Sequence, residues 1–291
     1  MSFFNRHILL KVLSLNAIAV FVQFILGLIS VNIVSVYLGP SGMAFMGNLR
    51  NFTSIFKSIS IVGLKEGFIK LFIENKETEQ RKKIFSSFLS FFGIITVICS
   101  VIIISFASKW SQLIFQSNQY SHFLILFGLL LPFFTFQSFL AALLNAQQFF
   151  KKLIALQLVS SIVIFAFTTF FTIRNQLEGA ILILVISDVL LLLCTLYFLR
   201  KNEAFHYFNT LKNIDFAYLK SIQKFLFMAL VSAIIIPLTS LLIRNVLIKD
   251  ISLDAAGNWE AVNRISGFYM MFFSAGLSMY YLPKLSALNT D

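Results

Sequence analysis

The chain has 291 residues, 58% of them apolar, with 36 phenylalanines, only 12% charged residues and a mean hydropathy of +0.88. A soluble domain of this size needs a wetted, charged shell that this composition does not supply, whereas lipid-facing helices pair their backbone internally, so an all-α polytopic membrane protein is specified. The formal net charge of +11 belongs in such a protein to cytoplasmic loops and anionic headgroups, and gives no ground for a nucleic-acid partner.

Apolar runs of about 20 residues, the length a bilayer core requires, fall at 8–37, 44–64, 84–108, 121–144, 153–173, 177–199, 222–248 and 256–282. Eight transmembrane helices are predicted. Arg6 precedes a run that continues past signal-peptide length without a small-residue cleavage pattern, so the first helix is retained. The segment Gly39-Pro40-Ser41-Gly42 is a tight turn between the first two helices: it lacks the Lys-Ser/Thr of a phosphate loop and does not join a strand to a helix. Cys99 and Cys194 each sit inside an apolar run with no partner nearby, which leaves neither a disulfide framework nor a metal site. Trp110 and Tyr120 bracket the connection after the third helix and read as interfacial anchors. Pro132 and Pro237 are expected to kink the fourth and seventh helices.

The even-numbered connections hold most of the Lys and Arg, including Lys65, Arg81, Lys151, Arg200 and Lys212, whereas the odd-numbered ones hold Lys109, Arg174, Arg244 and Lys249. With Arg6, Lys11 and Lys284 added to the richer side, the positive-inside rule puts both termini in the cytoplasm. The long polar connection from Arg200 to Lys224 divides the chain into a six-helix lobe (1–200), a cytoplasmic linker (201–221) and the first two helices of a second lobe (222–291). Within it, Phe205 to Leu219 is amphipathic enough to lie on the inner membrane surface or to serve as a solvated linker. A short echo crosses this boundary: Gly42, Asn48 and Arg50 are matched by Gly257, Asn263 and Arg264, with the same Gly-to-Asn spacing and the Arg displaced by one residue. Parallel repeats of this kind suit two lobes rocking about a midplane site.

Two segments carry a family likeness. One is Tyr37-Leu-Gly-Pro-Ser-Gly42 with Gly47-Asn-Leu-Arg50; the other runs from Lys224-Phe-Leu-Phe-Met-Ala-Leu230 through Pro237 and Arg244 to Ala256-Gly-Asn-Trp-Glu260, Tyr269 and Tyr280-Tyr-Leu-Pro-Lys-Leu-Ser286. These residues resemble the Wzx-type O-antigen and enterobacterial common antigen (lipid III) flippases of the MOP exporter superfamily. The resemblance implies a multi-pass protein of the bacterial inner membrane that moves an undecaprenyl-pyrophosphate-linked glycan between leaflets, with membrane lipids around it and a glycan polymerase and chain-length regulator as partners. It implies no cofactor and no catalytic or metal-binding residue. The family has twelve helices in two lobes, so the present chain reads as a complete first lobe and the opening pair of the second, truncated at its C-terminus.

A flippase breaks no bond; it must lower the cost of moving a diphosphate and a glycan through hydrocarbon, which calls for cationic, hydrated walls. Arg50 and Lys57, seven residues apart in the second span, are placed on one helix face about 10 Å apart along the axis. Arginine suits a diphosphate because its planar fork donates two hydrogen bonds and keeps its charge when partly buried. Lys57 is near mid-membrane, where facing lipid would cost about 3 kcal/mol or more, so a cavity or an acid is expected beside it. Asp188, in the sixth span, is the natural counter-ion, or a coupling group. Arg264 sits at matching depth in the eighth span, and Asn48, Asn263, Gln23 and Asn32 offer hydrogen-bonding groups that meet either sugar hydroxyls or neighbouring helices.

Three other functions are open to the sequence. A glycan polymerase or glycosyltransferase would need a catalytic carboxylate or a sizeable outer loop, but the first outer turn holds no acid and the longest outer connection has only Asp250 and Asp254. A cation or drug exporter of the same superfamily would want acids in the first lobe, whereas this lobe turns Arg50 and Lys57 to the membrane interior. The third is a truncated lobe that binds partners and transports nothing.

Overall fold

The computed structural model describes the backbone of residues 6–61, 64–199 and 217–288, and the side chains of 14–61, 65–199, 230–231, 233–274 and 277. Every element among them is helical: α1 (Arg6–Ile61), α2 (Leu64–Glu74), α3 (Thr78–Ser105), α4 (Ala107–Phe115), α5 (Ser121–Ala146), α6 (Phe150–Leu199), α7 (Ala217–Asp250) and α8 (Leu253–Leu288). The first two predicted spans lie in α1 and the fifth and sixth in α6, while α3, α5, α7 and α8 carry one each. The stretches Ser14–Glu74, Thr78–Ser105, Ser121–Ala146 and Phe150–Leu199 are long and apolar enough to cross a bilayer, and the 34 residues of α7 and 36 of α8 reach about 50 Å at the helical rise. Residues 205–216 of the amphipathic stretch, and most of the 201–221 linker, lie outside the described residues.

Both long helices are divided by a single residue of non-helical backbone, Gly39 (φ 66°, ψ −177°) in α1 and Gln176 (φ 49°, ψ −126°) in α6. Glycine takes the positive φ without a Cβ clash. Pro40 then opens the second half of α1, where its fixed φ suits a helix start. The expected four-residue turn is therefore a one-residue break. Gln176 has no such licence, and a left-handed non-glycine residue costs roughly 1–2 kcal/mol. Pro132 and Pro237 lie inside α5 and α7, where no non-helical residue interrupts either helix.

Two apolar clusters hold α1 to α6 together. One is aromatic: Phe68 and Phe72 of α2 pack with Phe85, Phe88 and Phe92 of α3 and Phe139 of α5, all at most 1% exposed. Its ring centroids are 4.8 Å apart for Phe68 and Phe139 and 5.6 Å for Phe68 and Phe88, the tilted spacing that aromatic rings favour. The second joins Leu49 and Phe52 of α1 to α3, α5 and the later half of α6. Trp110 belongs to it. Its ring lies 5.2 Å from Phe52 and 6.0 Å from Phe56, and its Nε1 is buried without a hydrogen-bond partner, so the ring packs against α1.

The helix α8 runs antiparallel along the first half of α1. Phe24 meets Tyr269 and Phe21 meets Phe272, at centroid separations of 5.5 and 6.3 Å, and at the far end Gly257 lies against the backbone of Pro40 so closely that a Cβ would overlap the Pro40 carbonyl. The seventh and eighth spans are thus joined to the preceding six through α1.

Candidate functional site

The half of α1 that follows Gly39 supplies the charged face. Arg50 and Lys57 both open onto one cavity of about 520 Å³, with Thr53, Ser54 and Phe134 in its walls. Arg50 also lines a second cavity of about 320 Å³, where it is joined by Arg264 of α8, Gln23 and Phe268. It stands at the junction of the two.

Each cation has a fixed neighbour. Lys57 Nζ lies 2.5 Å from Asp188 Oδ2, with side chains 19% and 7% exposed, and 4.9 Å from the centroid of the Phe134 ring. Asp188 and Lys57 thus form the ion pair their depths call for, tying α1 to α6. Arg50 Nη1 donates to Glu260 Oε1 at 3.2 Å. The other oxygen of the Glu260 carboxylate accepts from Arg244 Nη2.

Arg244 is 1% exposed. It donates through Nη1 to Asn48 Oδ1 at 2.8 Å, and its guanidinium sits 5.4 Å from the Trp259 ring. Asn48 in turn donates to the Ile114 carbonyl of α4 at 3.3 Å. The approach depends on Gly47, where a Cβ would come within 2.7 Å of both the Arg244 guanidinium and the Glu260 carboxyl. One carboxylate and one amide therefore link α1, α4, α7 and α8.

Arg264, one helical turn beyond Glu260, feels the charge of the same carboxylate and lies 6.0 Å from the Phe268 ring. Two guanidiniums, Arg50 and Arg244, share the Glu260 carboxylate, and Arg264 lines the smaller cavity with Arg50, so three cations stand around one acid, 3 − 1, a formal excess of two positive charges near the cavity junction. An excess of this sign at membrane depth attracts anions and repels cations.

The amides expected to meet cargo divide. Gln23 lines the smaller cavity, but both its polar atoms are engaged by α6: Nε2 donates to Ser161 Oγ and Oε1 accepts from Gln157 Nε2, each at 2.9 Å. Asn48 is buried between Arg244 and Ile114 and lines neither cavity. Asn263 and Asn32 are exposed and line neither.

Arg244 and Glu260 are the residues sequence reasoning missed. Arg244 counts by sequence as a charge of an outer connection, yet it lies inside α7, fully buried and paired. The available signal was a carboxylate two turns into an apolar helix, and sixteen residues before it an Arg in the last two turns of another.

Residues 9–288 match the family model described as polysaccharide biosynthesis protein. The chain belongs to this family. Among curated members of known name, the lipid III flippases of Escherichia coli (strain K12) and Shigella flexneri are each 24% identical over 266 residues, which covers 90% of this chain and 64% of theirs. The chain thus spans about two thirds of the length of those relatives. Of solved structures, the MATE multidrug transporter DinF-BH in complex with R6G superposes with a TM-score of 0.71 at 17% identity, over 95% of this chain and 64% of that one. An inward-facing MATE family multidrug resistance transporter of the MOP superfamily gives 0.65 at 16% identity, over 90% and 64%. The chain therefore shares the all-α fold of these two structures.

Proposed function

We propose that this chain binds the headgroup of an undecaprenyl-pyrophosphate-linked oligosaccharide and carries it, by alternating access, from the cytoplasmic to the periplasmic leaflet of the bacterial inner membrane. The observation that carries the reading is the position of Arg50, at the junction of two cavities and beside Arg264, with a local excess of two positive charges. A diphosphate in transit needs its charge neutralised by groups that stay ionised without full hydration, and a pair of guanidinium forks does this while leaving the glycan free in the cavity. Lys57 adds a cation on the same wall, already balanced by Asp188, and so holds the wall's field rather than adding to the excess.

The 1–200 block and the 222–291 block act as lobes that rock about this junction, with both termini in the cytoplasm as the distribution of Lys and Arg supports. The names of the lipid III flippases support a lipid-linked glycan of the lipid III type as cargo. The same positive excess weighs against a cationic drug.

Alanine at Arg50, Arg264 or Lys57, introduced into the chromosomal gene, tests this. Surface glycan is expected to be lost in the Arg50 and Arg264 variants at unchanged protein level, and reduced in the Lys57 variant together with its protein level, because Asp188 loses its partner. Full display by the Arg50 and Arg264 variants would remove the cationic junction from the mechanism.

A further inference from the structure

Glu260 plays no part in neutralising an anionic cargo; by sign it opposes one. Its two oxygens are held unequally. Behind it, Arg244 is 1% exposed and fixed by Asn48 and Trp259. In front, Arg50 has a side chain 25% exposed to the cavities and reaches Glu260 through one hydrogen bond of 3.2 Å, longer than the roughly 2.7–2.9 Å of a strong charge-assisted contact.

We infer that the Glu260 carboxylate is the resident anion of the Arg50 site, that the diphosphate of the cargo takes its place on Arg50, and that this exchange unlatches α8 from α1. The inference rests on the proposed function above. Three features favour the exchange. A diphosphate brings at least two negative charges and several acceptor oxygens against the single oxygen that Glu260 offers, and it can engage Arg50 and Arg264 together across the smaller cavity. When Arg50 lets go, Glu260 keeps its contact with Arg244, so no buried charge is left unpaired. The bond that breaks is a charged link between α1 and α8, which also meet through the apolar rings of Phe21, Phe24, Tyr269 and Phe272, through Ala261 and Phe268 against Val31, Val34 and Met43, and at the close approach of Gly257 to Pro40. A ligand moves a conformational equilibrium only by binding its two states differently, and competition for Arg50 supplies that difference. Neutral or cationic molecules can enter the cavity but cannot release the latch.

The test uses crosslinking by a short bifunctional thiol reagent of Phe24→Cys and Tyr269→Cys, which face each other across α1 and α8, in the chain with Cys99→Ser and Cys194→Ser, reconstituted in lipid nanodiscs. Inorganic pyrophosphate and undecaprenyl pyrophosphate serve as separate probes, which distinguishes a free diphosphate from a lipid-borne one. Either probe is expected to lower crosslinking severalfold in the parent. Arg50→Gln should show low crosslinking that neither probe changes further. Glu260→Gln should bind pyrophosphate about tenfold tighter, because the competitor is gone. As Glu260→Gln leaves Arg244 unbalanced, Arg244→Gln/Glu260→Gln is measured in parallel and should show the same tightening. Arg50-dependent binding of pyrophosphate with unchanged crosslinking, or with equal affinity in parent and both Glu260 variants, overturns the latch and leaves the proposed function standing. Absence of binding by either probe overturns both.

Discussion

Replacing Lys57 by methionine keeps most of the side-chain volume and the contact with Phe134, and removes the ammonium 2.5 Å from Asp188. Asp188 is then a carboxylate 7% exposed, inside the helical block, without its counter-ion. Breaking a buried pair from one side costs about 3–5 kcal/mol. Lys57 is 19% exposed on the cavity side, and water can reach that side, so the lower end applies: about 3 kcal/mol, or a fall in Tm of roughly 6–12 °C for a chain of this size. The double replacement Lys57→Met/Asp188→Leu removes both charges and should recover most of the loss, since apolar substitution of a whole buried pair is near neutral. Thermal unfolding of the purified protein in one detergent, followed by the fluorescence of Trp110 and Trp259, measures all three. A single variant within about 2 °C of the parent, or a double variant as unstable as the single one, would refute the reasoning; the second result would assign the cost to packing.

The Arg244→Leu variant should lose about 3–5 kcal/mol, because Glu260 and Asn48 both lose a buried partner, and the same melting experiment checks it. Gly257→Ala forces a methyl group into the Pro40 carbonyl; overpacking of this kind costs about 1–3 kcal/mol and should lower crosslinking between α1 and α8 as well as Tm. Gln23→Ala deletes two hydrogen bonds to α6, worth about 1 kcal/mol each, and should lower Tm by several degrees while leaving pyrophosphate binding intact. Phe139→Ala empties the centre of the aromatic cluster and is expected to cost about 3–5 kcal/mol, read as loss of monodisperse protein on size exclusion.

Hydropathy made the eight spans legible, because bilayer thickness sets their length whatever the partners are. The two short helices were not legible. Residues 64–74 and 107–115 are too brief for a span and too amphipathic for a loop, and they form because Phe68, Phe72, Ile114 and Phe115 bury against neighbours far away in sequence. In the site, the shared face of Arg50 and Lys57 followed from helical spacing alone, and the pairing with Asp188 followed from depth. The Arg244–Glu260 contact could not be read that way. It depends on where α7 lies against α1, and a charge within two turns of a helix end looks the same from sequence whether it points to water or to a buried acid. Asn48 stayed open between cargo and neighbouring helices for a related reason: an amide near a cation suits either, and here it is the bracket that holds Arg244.

The aromatic cluster of α2, α3 and α5 has a kinetic consequence. Six phenylalanines at most 1% exposed pack ring against ring, and rings of that size do not slide past one another without opening voids. The short helix α2 must therefore travel with α3 and α5 as one body through any rearrangement of the helices. Backbone amide exchange in 66–74 and 84–92 should stay slow and mutually synchronous even while the α1–α8 boundary exchanges quickly, which would mark this end of the molecule as the stator against which the rest turns.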